Sequence, residues 1–165
     1  MDLDAPAPRL ASPADVDELV RLRELMMGML GELGEPPERT WRDACAAYLH
    51  TALVTGDAGA LVVDDPTTPG RLVACGVGTV TQRLPGPRTP NGRYGYIASM
   101  VTEVEWQGRG LATAIVGGLL DWFRSRGIHK VDLHATAHGE PIYRALGFAE
   151  GAFPELRWRG PASGA

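Results

Sequence analysis

The sequence has little of what a membrane, disulfide-bonded or metal-clustered protein needs. Its two cysteines, Cys45 and Cys75, are too few for a disulfide framework or a zinc cluster. We expect both to be small core residues, and we expect no bound metal. The longest uncharged apolar stretch, residues 111–120, has ten residues, about half of what spans a bilayer. Residues 1–4 lack the basic and then apolar layout of a secretory signal. We therefore expect a cytoplasmic protein with no membrane partner.

An excess of positive charge is also missing. The 16 Lys and Arg residues against 20 Asp and Glu residues give a net charge of −4. A protein that binds the phosphate backbone of nucleic acids normally has a basic surface, so no nucleic-acid partner is expected. With 44% hydrophobic and 22% charged residues, the composition is typical of a globular protein. The length suits one domain, residues 1–165, with a core at about 9–159 and a flexible tail at 160–165.

Hydrophobic periodicity predicts the elements of a mixed α/β domain. Ser12, followed by Pro13 and Asp15, is typical of a helix start, and the helix after it has an apolar stripe with Arg21 and Glu24 on the opposite side. The remaining pattern predicts a weak strand at residues 9–10, a helix at 38–51, strands at 60–63 and 72–81 paired as a hairpin, a loop at 84–92, a strand at 94–102, a helix at 110–126, a strand at 129–134, a helix at 140–146 and a last strand at 153–158. The fold class is α/β, with helices around a central sheet.

The most informative segment is residues 106–113, Trp-Gln-Gly-Arg-Gly-Leu-Ala-Thr, between a predicted strand and the most apolar predicted helix. Gly108 and Gly110 allow backbone amides to turn toward one point. Free amides at a helix N-terminus favour a phosphate or a pyrophosphate, and Arg109 can add a charge-assisted contact. A plain turn between strand and helix is the equally open alternative.

Two common phosphate-binding motifs fit this segment poorly. The G-x-x-x-x-G-K-[ST] run of a P-loop does not occur. A dinucleotide fingerprint G-x-G-x-x-G/A matches at Gly108 and Gly110 but meets Thr113 at its third position, although Asp132 lies at a distance suited to a ribose-binding acid. Only 55 residues (165 − 110) follow Gly110. That is too short for the rest of a doubly wound sheet, which disfavours a nucleotide-dependent oxidoreductase.

Two motifs in this order resemble the GNAT N-acetyltransferase superfamily. Gln107-x-x-Gly110-x-Ala112 matches its signature R/Q-x-x-G-x-G/A, and residues 141–148, Pro-Ile-Tyr-Arg-Ala-Leu-Gly-Phe, are similar to its second signature, a Tyr on a short helix followed by Gly-Phe. The resemblance covers about residues 9–159. It implies a central mixed, mostly antiparallel sheet flanked by helices, acetyl-coenzyme A (acetyl-CoA) as co-substrate, and direct acetyl transfer to a primary amine. A non-catalytic acyl-CoA-binding module of the same fold is the alternative.

The resemblance also implies which residues form the cofactor site. The backbone of the strand at Met100, Val101 and Thr102 would hydrogen-bond the pantetheine arm, and an amide near Val101 would polarise the thioester carbonyl. Thr136 stands where an Asn is frequent in the family, which weakens one contact to the pantetheine. The pyrophosphate would be held by the signature segment, at Gln107, Gly108, Arg109, Gly110, Leu111, Ala112 and Thr113.

The implied acid and base come from two further positions. Tyr143 would protonate the departing thiolate as a general acid; packing of its short helix onto the sheet is the alternative role. An acceptor ammonium must lose a proton before it attacks, and Glu103 is a candidate base because strand alternation puts it on the face of Ile97 and Val101. Glu105 is the second candidate, and a pair of solvated turn carboxylates is the alternative for both.

The acceptor itself is left open by the sequence. Three glutamates in the connection at residues 31–38 would favour a cationic acceptor, whereas Arg83, Arg88 and Arg93 around the proline-rich loop would favour an anionic part of it; plain solvated loops are the alternative. The partner is therefore a small-molecule or peptide amine. The oligomeric state is open too, a homodimer included.

Overall fold

A computed structural model gives the structure of residues 6–161. Residues 1–5 and 162–165, which include the chain start and most of the predicted tail, lie outside the described part. The sheet has five strands, β1 (Arg9–Leu10), β2 (Ala58–Asp64), β3 (Leu72–Gln82), β4 (Arg93–Thr102) and β5 (Val131–Leu133), and the helices are α1 (Val16–Met29), α2 (Trp41–Thr55), α3 (Leu111–Ser125) and α4 (Glu140–Ala145).

The strands lie in the sheet in the same order as in the chain. The pairs from β1 to β4 are antiparallel, and β5 is parallel to β4 because α3 forms the crossover between them. The predicted hairpin of β2 and β3 and the mixed, mostly antiparallel sheet are confirmed. No helix within residues 6–161 is long and apolar enough to cross a membrane.

Each face of the sheet is covered by helices. α1 and α2 cover one face, and their cluster includes Leu19, Leu22 and Val62, each at most 1% exposed. α3 covers the other face, where the cluster includes Ile115, Leu119 and Phe123. Burial on both faces explains why β2 and β3 are almost continuously apolar.

Glycines line the sheet under α3 and set how closely the helix packs. A Cβ built at Gly78 would lie 2.7 Å from Phe123 Cζ, and one at Gly95 would lie 2.6 Å from Phe123 Cε1. A side chain at either position would therefore push the helix away. The same helix places its N-terminus beside the end of β4, so this packing also positions the signature segment.

Two predicted elements differ from the structure. The second helix was expected from residue 38, but it begins at Trp41 and runs to Thr55, where Gly56 ends it with a φ of +79°. The backbone N–H of Thr40 donates to the Glu38 carboxylate instead of entering a helix. Residues 31–40 thus form a longer connection between α1 and α2 than expected.

The predicted last strand at residues 153–158 is wrong. This segment has no regular secondary structure, and its large side chains, Phe153, Leu156 and Trp158, are 86–89% exposed. Pro154 has no N–H to give to a ladder, which disfavours pairing at that position. The segment contacts the end of β5 through side chains, with Glu155 Oε2 at 3.0 Å from His134 Nε2.

Candidate active site

The centre of the site is a β-bulge in β4. The register with β3 pairs Val77 with Ala98 but Cys75 with Val101, so β4 has one more residue than β3 in this interval. Ser99 lies in the extra stretch and adopts a φ of +52°, which is uncommon for a residue other than glycine. Strain of this kind persists only where the surrounding structure holds it, and it is common at functional sites.

The bulge reverses the direction of the side chains that follow it. Ile97 packs in the cluster under α3, whereas Val101 packs in the cluster under α1. The predicted placement of Ile97 and Glu103 on one face is therefore wrong, because one inserted residue exchanges the two faces of a strand. Glu103 lies on the α1 side.

Next to the bulge, β4 and β5 separate. Their ladder consists of residues 95–97 paired with β5, whereas β4 continues to Thr102. Residues 98–102 therefore have no strand of the described chain on that edge. The result is an open strand edge in the middle of the molecule, which is the geometry that strand-like ligands use.

The direction of the free backbone groups follows from the ladder on the other edge. Glu103 N–H donates to Val73 O at 2.9 Å. Because N–H and C=O groups alternate in direction along a strand, those of Val101 point to β3 and those of Met100 and Thr102 point to the open edge. The Gln107 side chain closes the end of this edge, since its Nε2 donates to Thr102 O at 3.1 Å.

The signature segment presents an open backbone loop at the end of β4. Gly108 and Gly110 have φ values of +75° and +76°, and a Cβ at either position would meet no atom within 4 Å. α3 begins at Leu111, and the amides of its first turn have no acceptor within the helix. The arrangement therefore fits the pyrophosphate of a coenzyme A, with the helix dipole adding about 0.3–1 kcal/mol per charge.

Arg109 is held at the rim of this loop. Its guanidinium lies 4.6 Å from the centre of the Trp106 ring, and its Nη2 donates to Glu105 O at 3.2 Å. These contacts direct the side chain along the loop. Glu105 itself belongs to the exposed 3-10 turn Val104–Trp106.

Tyr143 lies on α4, half-buried against the α3 cluster that Met100 also contacts. Its ring packs edge to face on Phe148 with the centres 6.0 Å apart. Its hydroxyl forms no hydrogen bond with the described residues. Burial raises the pKa of this phenol above its usual value, so the group is protonated at neutral pH and has its proton available to a ligand.

Glu103 is enclosed by two arginines. Its carboxylate accepts hydrogen bonds from Arg21 Nη1 at 2.8 Å and from Arg71 Nη2 at 2.9 and 3.0 Å, and its side chain is only 9% exposed. Arg21 also donates to Glu18 and to Leu72 O. The network ties the end of β4 to α1 and to the start of β3. Charge-assisted hydrogen bonds are stronger than neutral ones, so the network fixes the position of this carboxylate.

Sequence reasoning missed a second polar contact of α1 with the bulge. Arg23 Nη1 donates to Ser99 Oγ at 2.5 Å. A strained residue thus receives a cationic hydrogen-bond donor from the opposite element. In the sequence, the only signal for this contact was the position of Arg23 close to the apolar stripe of the first helix. The partner of Arg23 could not be predicted, because the position of Ser99 depends on the bulge.

α1 also borders the larger of two notable cavities, about 580 Å³, together with the connection to α2. Its wall is apolar at Leu25, Met29 and Leu33 and charged at Arg21, Glu24 and Arg39. Glu24 was predicted to be on the solvent side, yet its side chain is only 17% exposed, and its Oε1 is buried without a hydrogen bond, 3.2 Å from Arg39 Nε. Arg42 Nη1 donates to its other oxygen at 2.6 Å.

The proline-rich loop, expected near the acceptor, lies elsewhere. Asn91 Nδ2 donates to Gly127 O and Arg93 Nη1 donates to Arg126 O, so the loop contacts the C-terminal end of α3. This end belongs to the face of the sheet opposite α1. The expected combination of this loop with the glutamates of the α1–α2 connection is therefore not formed.

Other chemistry-bearing side chains are engaged or buried. His134 Nδ1 is 2.5 Å from Tyr96 Oη, and Thr136 Oγ1 accepts from Gly139 N–H. Burial raises the pKa of the Cys75 thiol to about 12, which removes its thiolate as a nucleophile. Between residues 6 and 161, no group of three or more His, Cys, Asp or Glu side chains is placed to hold a metal ion.

Comparison with known sequences agrees with this geometry. The chain matches the Acetyltransferase (GNAT) family over residues 23–148. It is 30% identical over 133 residues to Glucosamine 6-phosphate N-acetyltransferase 1 of Oryza sativa subsp. japonica, a match that covers 81% of this chain and 78% of the relative. A second rice protein, the Probable glucosamine 6-phosphate N-acetyltransferase 2, is 29% identical over 125 residues, which cover 75% of this chain and 74% of that protein.

Solved structures give the same result. A predicted acetyltransferase with acetyl-CoA from Clostridium acetobutylicum has a TM-score of 0.77 at 26% identity, covering 91% of this chain and 94% of that one. Glucosamine-6-phosphate N-acetyltransferase from Arabidopsis thaliana has a TM-score of 0.66 at 18% identity, with 92% and 96% covered, which is a likeness of fold. The chain belongs to the GNAT family of acetyltransferases and is an N-acetyltransferase.

Proposed function

We propose that this enzyme transfers the acetyl group of acetyl-CoA directly to a primary amine that enters from the α1 side of β4. The observation that carries the proposal is the open edge of β4 beside the open N-terminus of α3. The strand edge suits the extended pantetheine amides, and the helix end suits the pyrophosphate. One continuous ligand with both parts fits this pair of features.

In this proposal the backbone does most of the cofactor binding. Met100 offers its N–H and C=O groups and Thr102 its N–H group to the pantetheine, with Val101 between them holding the strand to β3. The amides from Gly108 to Thr113 hold the pyrophosphate, and Gln107 fixes the junction by its bond to Thr102 O. An N–H at the bulge then polarises the thioester carbonyl.

The transfer needs one proton removed and one supplied. The amine nitrogen forms a bond to the carbonyl carbon, the carbon–sulfur bond breaks, and the sulfur leaves with its electron pair. Tyr143 gives its proton to that sulfur, and its raised pKa keeps the hydroxyl protonated until the transfer. The proton lost by the acceptor ammonium passes to a base or to solvent.

The identity of the base stays a prediction. Glu103 was the candidate, but both of its carboxylate oxygens already accept hydrogen bonds from arginines, Oε1 from Arg21 and both oxygens from Arg71. We propose instead that Glu103 positions the end of β4. The exposed Glu105 is the remaining carboxylate of that turn.

The acceptor is proposed to reach the thioester past the cavity beside α1. Its apolar wall at Leu25, Met29 and Leu33 suits an amine with an apolar body, whereas Glu24 is already engaged by Arg39 and Arg42. The rice relatives, by name, act on glucosamine 6-phosphate. That amino sugar is therefore one acceptor to compare, and a cytoplasmic location remains part of the proposal.

The test is an assay of thiol release from acetyl-CoA with a panel of amines. The panel contains glucosamine 6-phosphate, arylalkyl amines, amino acids and peptides with a free N-terminus. Turnover that depends on one class of amine supports direct transfer and identifies the acceptor. Tight binding of acetyl-CoA with no transfer to any amine would support the alternative of an acyl-CoA-binding module.

A further inference from the structure

A strongly basic surface exists although the whole chain is acidic. Residues 83–93 and 124–130 together contain six of the 16 Lys and Arg residues and no Asp or Glu. We call the cavity between these segments the basic pocket. It is lined by Arg88, Thr89, Asn91, Arg93, His129 and Lys130, and the proposed acetyl transfer uses none of them.

Two hydrogen bonds hold the walls of the basic pocket together. Asn91 Nδ2 donates to Gly127 O at 3.3 Å, and Arg93 Nη1 donates to Arg126 O at 3.2 Å. The Asn91 side chain is fixed further because its Oδ1 accepts from Arg93 N–H at 3.0 Å. The pocket is therefore built by specific contacts between the β3–β4 loop and the end of α3.

The cations of the basic pocket have no anionic partner in the described chain. Within residues 6–161, no carboxylate forms an ion pair with Arg88, Arg93 or Lys130. The nearby Asp132 is paired with Arg83 instead, at 3.6 Å. Lys130 Nζ lies 5.0 Å from the centre of the Tyr94 ring, which restrains it without neutralising its charge.

The C-terminal end of α3 disfavours anion binding in the basic pocket, because the C-terminus of a helix carries partial negative charge. Arg93 offsets this by donating to one of the last carbonyls, that of Arg126. Two full positive charges, on Arg88 and Lys130, remain beside a half charge of opposite sign. The net charge around the basic pocket is therefore positive, which favours the binding of an anion.

The size of the basic pocket limits that anion. Its volume is about 130 Å³, the space of about four water molecules at ~30 Å³ each. A tetrahedral oxyanion fits this space, and the guanidinium and ammonium groups match phosphate oxygens. We propose that the basic pocket binds the phosphate group of a small phosphomonoester.

This phosphate site is separate from the signature loop. α3 has 15 residues, so its two ends are about 22 Å apart at 1.5 Å per residue. Along β4, Arg93 is six residues before Ser99, a distance of about 20 Å. The proposal therefore adds a second anion site to the one expected for the pyrophosphate.

The experiment is a calorimetric titration of inorganic phosphate into the full chain, with and without saturating coenzyme A. The coenzyme occupies the signature loop, so phosphate that binds in its presence binds elsewhere. We expect one site that persists with coenzyme A. The double variant Arg88→Gln/Lys130→Gln should bind phosphate at least tenfold more weakly, whereas Arg124→Gln, whose partner is Asp121 outside the pocket, should bind as the unchanged protein does.

The possible outcomes distinguish a phosphomonoester site in the basic pocket from phosphate binding at the signature loop and from a phosphoprotein partner. Phosphate binding that coenzyme A abolishes, or that the double variant retains, would overturn it. A sugar phosphate or a nucleoside monophosphate that binds more tightly than inorganic phosphate supports a small phosphomonoester. A phosphoserine peptide that binds more tightly than all of these would overturn it in favour of a protein partner. Equal melting temperatures of the variants without phosphate confirm that the fold is intact.

Discussion

Two roles of Glu103, as a structural anchor and as the general base, predict different kinetics for a Glu103 variant. As an anchor, it holds the end of β4 through Arg21 and Arg71. The change Glu103→Gln should then raise the KM for acetyl-CoA about three- to tenfold, because an amide pairs poorly with two guanidinium groups and the strand end loosens. The pH profile of kcat should keep its shape. Steady-state kinetics between pH 6 and 9 measure both.

The control for this change is Glu105→Gln. Glu105 is exposed in the same turn and has no arginine partner for its carboxylate in the described chain. We expect its KM for acetyl-CoA to be unchanged, whereas a fall in its kcat would identify Glu105 as the base. A loss of kcat above a hundredfold in Glu103→Gln, together with loss of the acidic limb of the profile, would instead establish Glu103 as the base.

The change Tyr143→Phe should lower the turnover rate and leave the binding of coenzyme A unaffected. Tyr143→Phe keeps the ring that packs on Phe148 but removes the proton donor, so kcat should fall about 10²–10³-fold. The dissociation constant of coenzyme A should stay within a factor of two. Tyr48→Phe, on the exposed part of α2, is the matched control. A kcat equal to that of the unchanged enzyme would exclude the acid role.

At this scale the sequence predicted the residues that belong to motifs. The positions of Gly108, Gly110 and Tyr143 follow from local spacing, and the structure has the loop and the short helix there. The partners of Glu103 and the contact of Arg23 with Ser99 did not follow from spacing. They join residues 32–82 positions apart, and they depend on a bulge that has no pattern in the sequence.

Among the elements, α3 connects packing to function. It rests on the glycine-lined face of the sheet and brings its N-terminus to the end of β4. Gly95→Ala would place a methyl group 2.6 Å from the Phe123 ring. Overpacking of this kind costs about 1–3 kcal/mol, which lowers the melting temperature by about 2–12 °C in a chain of this size.

Gly86→Ala is the control for that change. It makes the same substitution on the β3–β4 loop, where a Cβ meets no atom within 4 Å. Its melting temperature should match that of the unchanged protein within about 1 °C. Equal melting temperatures for the two variants would contradict the close approach of α3 to the sheet.

The first turn of α3 offers a test of the pyrophosphate site without backbone strain. Ala112→Asp adds a carboxylate at the signature position where the family keeps a small residue, and the charge should repel the pyrophosphate. We expect coenzyme A to bind at least tenfold more weakly by calorimetry. Helix stability should not suffer, since an acid in the first turn is favourable.

Ala114→Asp is the matched variant. It is the same change two residues later, about 200° around the helix, at an exposed position. Coenzyme A affinity should fall by less than a factor of three. If both variants bind coenzyme A as the unchanged protein does, the pyrophosphate lies elsewhere.

The sequence predicted the elements better than their ends. The α3 and β4 boundaries agree within one residue of the predicted 110–126 and 94–102, because long apolar patterns with glycine or proline at their ends are clear signals. The second helix was placed three to four residues early because the backbone of residues 38–40 is used in a turn. The prediction of a last strand failed because residues 153–158 pair with no strand edge of the described chain.

In the molecule as a whole, the two faces of the sheet carry different sets of candidate site residues. The face under α3 carries the signature loop and Tyr143, whereas the face under α1 carries Glu103, Arg23 and the larger cavity. The separation of β4 from β5 opens a gap in the sheet between the two faces. An amine and a thioester that come from opposite faces would therefore meet at the bulge.

Arg9 links three elements, since it lies in β1 and forms ion pairs next to the start of α1 and at the end of β2. Arg9 in β1 bonds Asp15 Oδ1 at 2.8 Å, before α1, and Asp64 Oδ2 at 2.7 Å, at the end of β2. The hydrogen bonds from Arg9 hold the pKa of the Asp15 carboxyl below its usual value. In the unfolded chain that pKa returns to about 3.9. The resulting stabilisation is complete above that value and is lost as pH falls through the lower pKa of the folded state.

Arg9→Gln should therefore lower the melting temperature at pH 7 by about 2–4 °C, the shift that ~1 kcal/mol gives in a chain of this size. The difference between this variant and the unchanged protein should shrink as pH falls below about 4, because a protonated Asp15 no longer needs the guanidinium. Arg144→Gln removes ion pairs of exposed Glu140 and Glu150 and should change the melting temperature by less than 1 °C at every pH. A difference for Arg9→Gln that is constant between pH 7 and 3 would show that its contribution is packing, and that the charges of Asp15 and Asp64 do not hold these elements together.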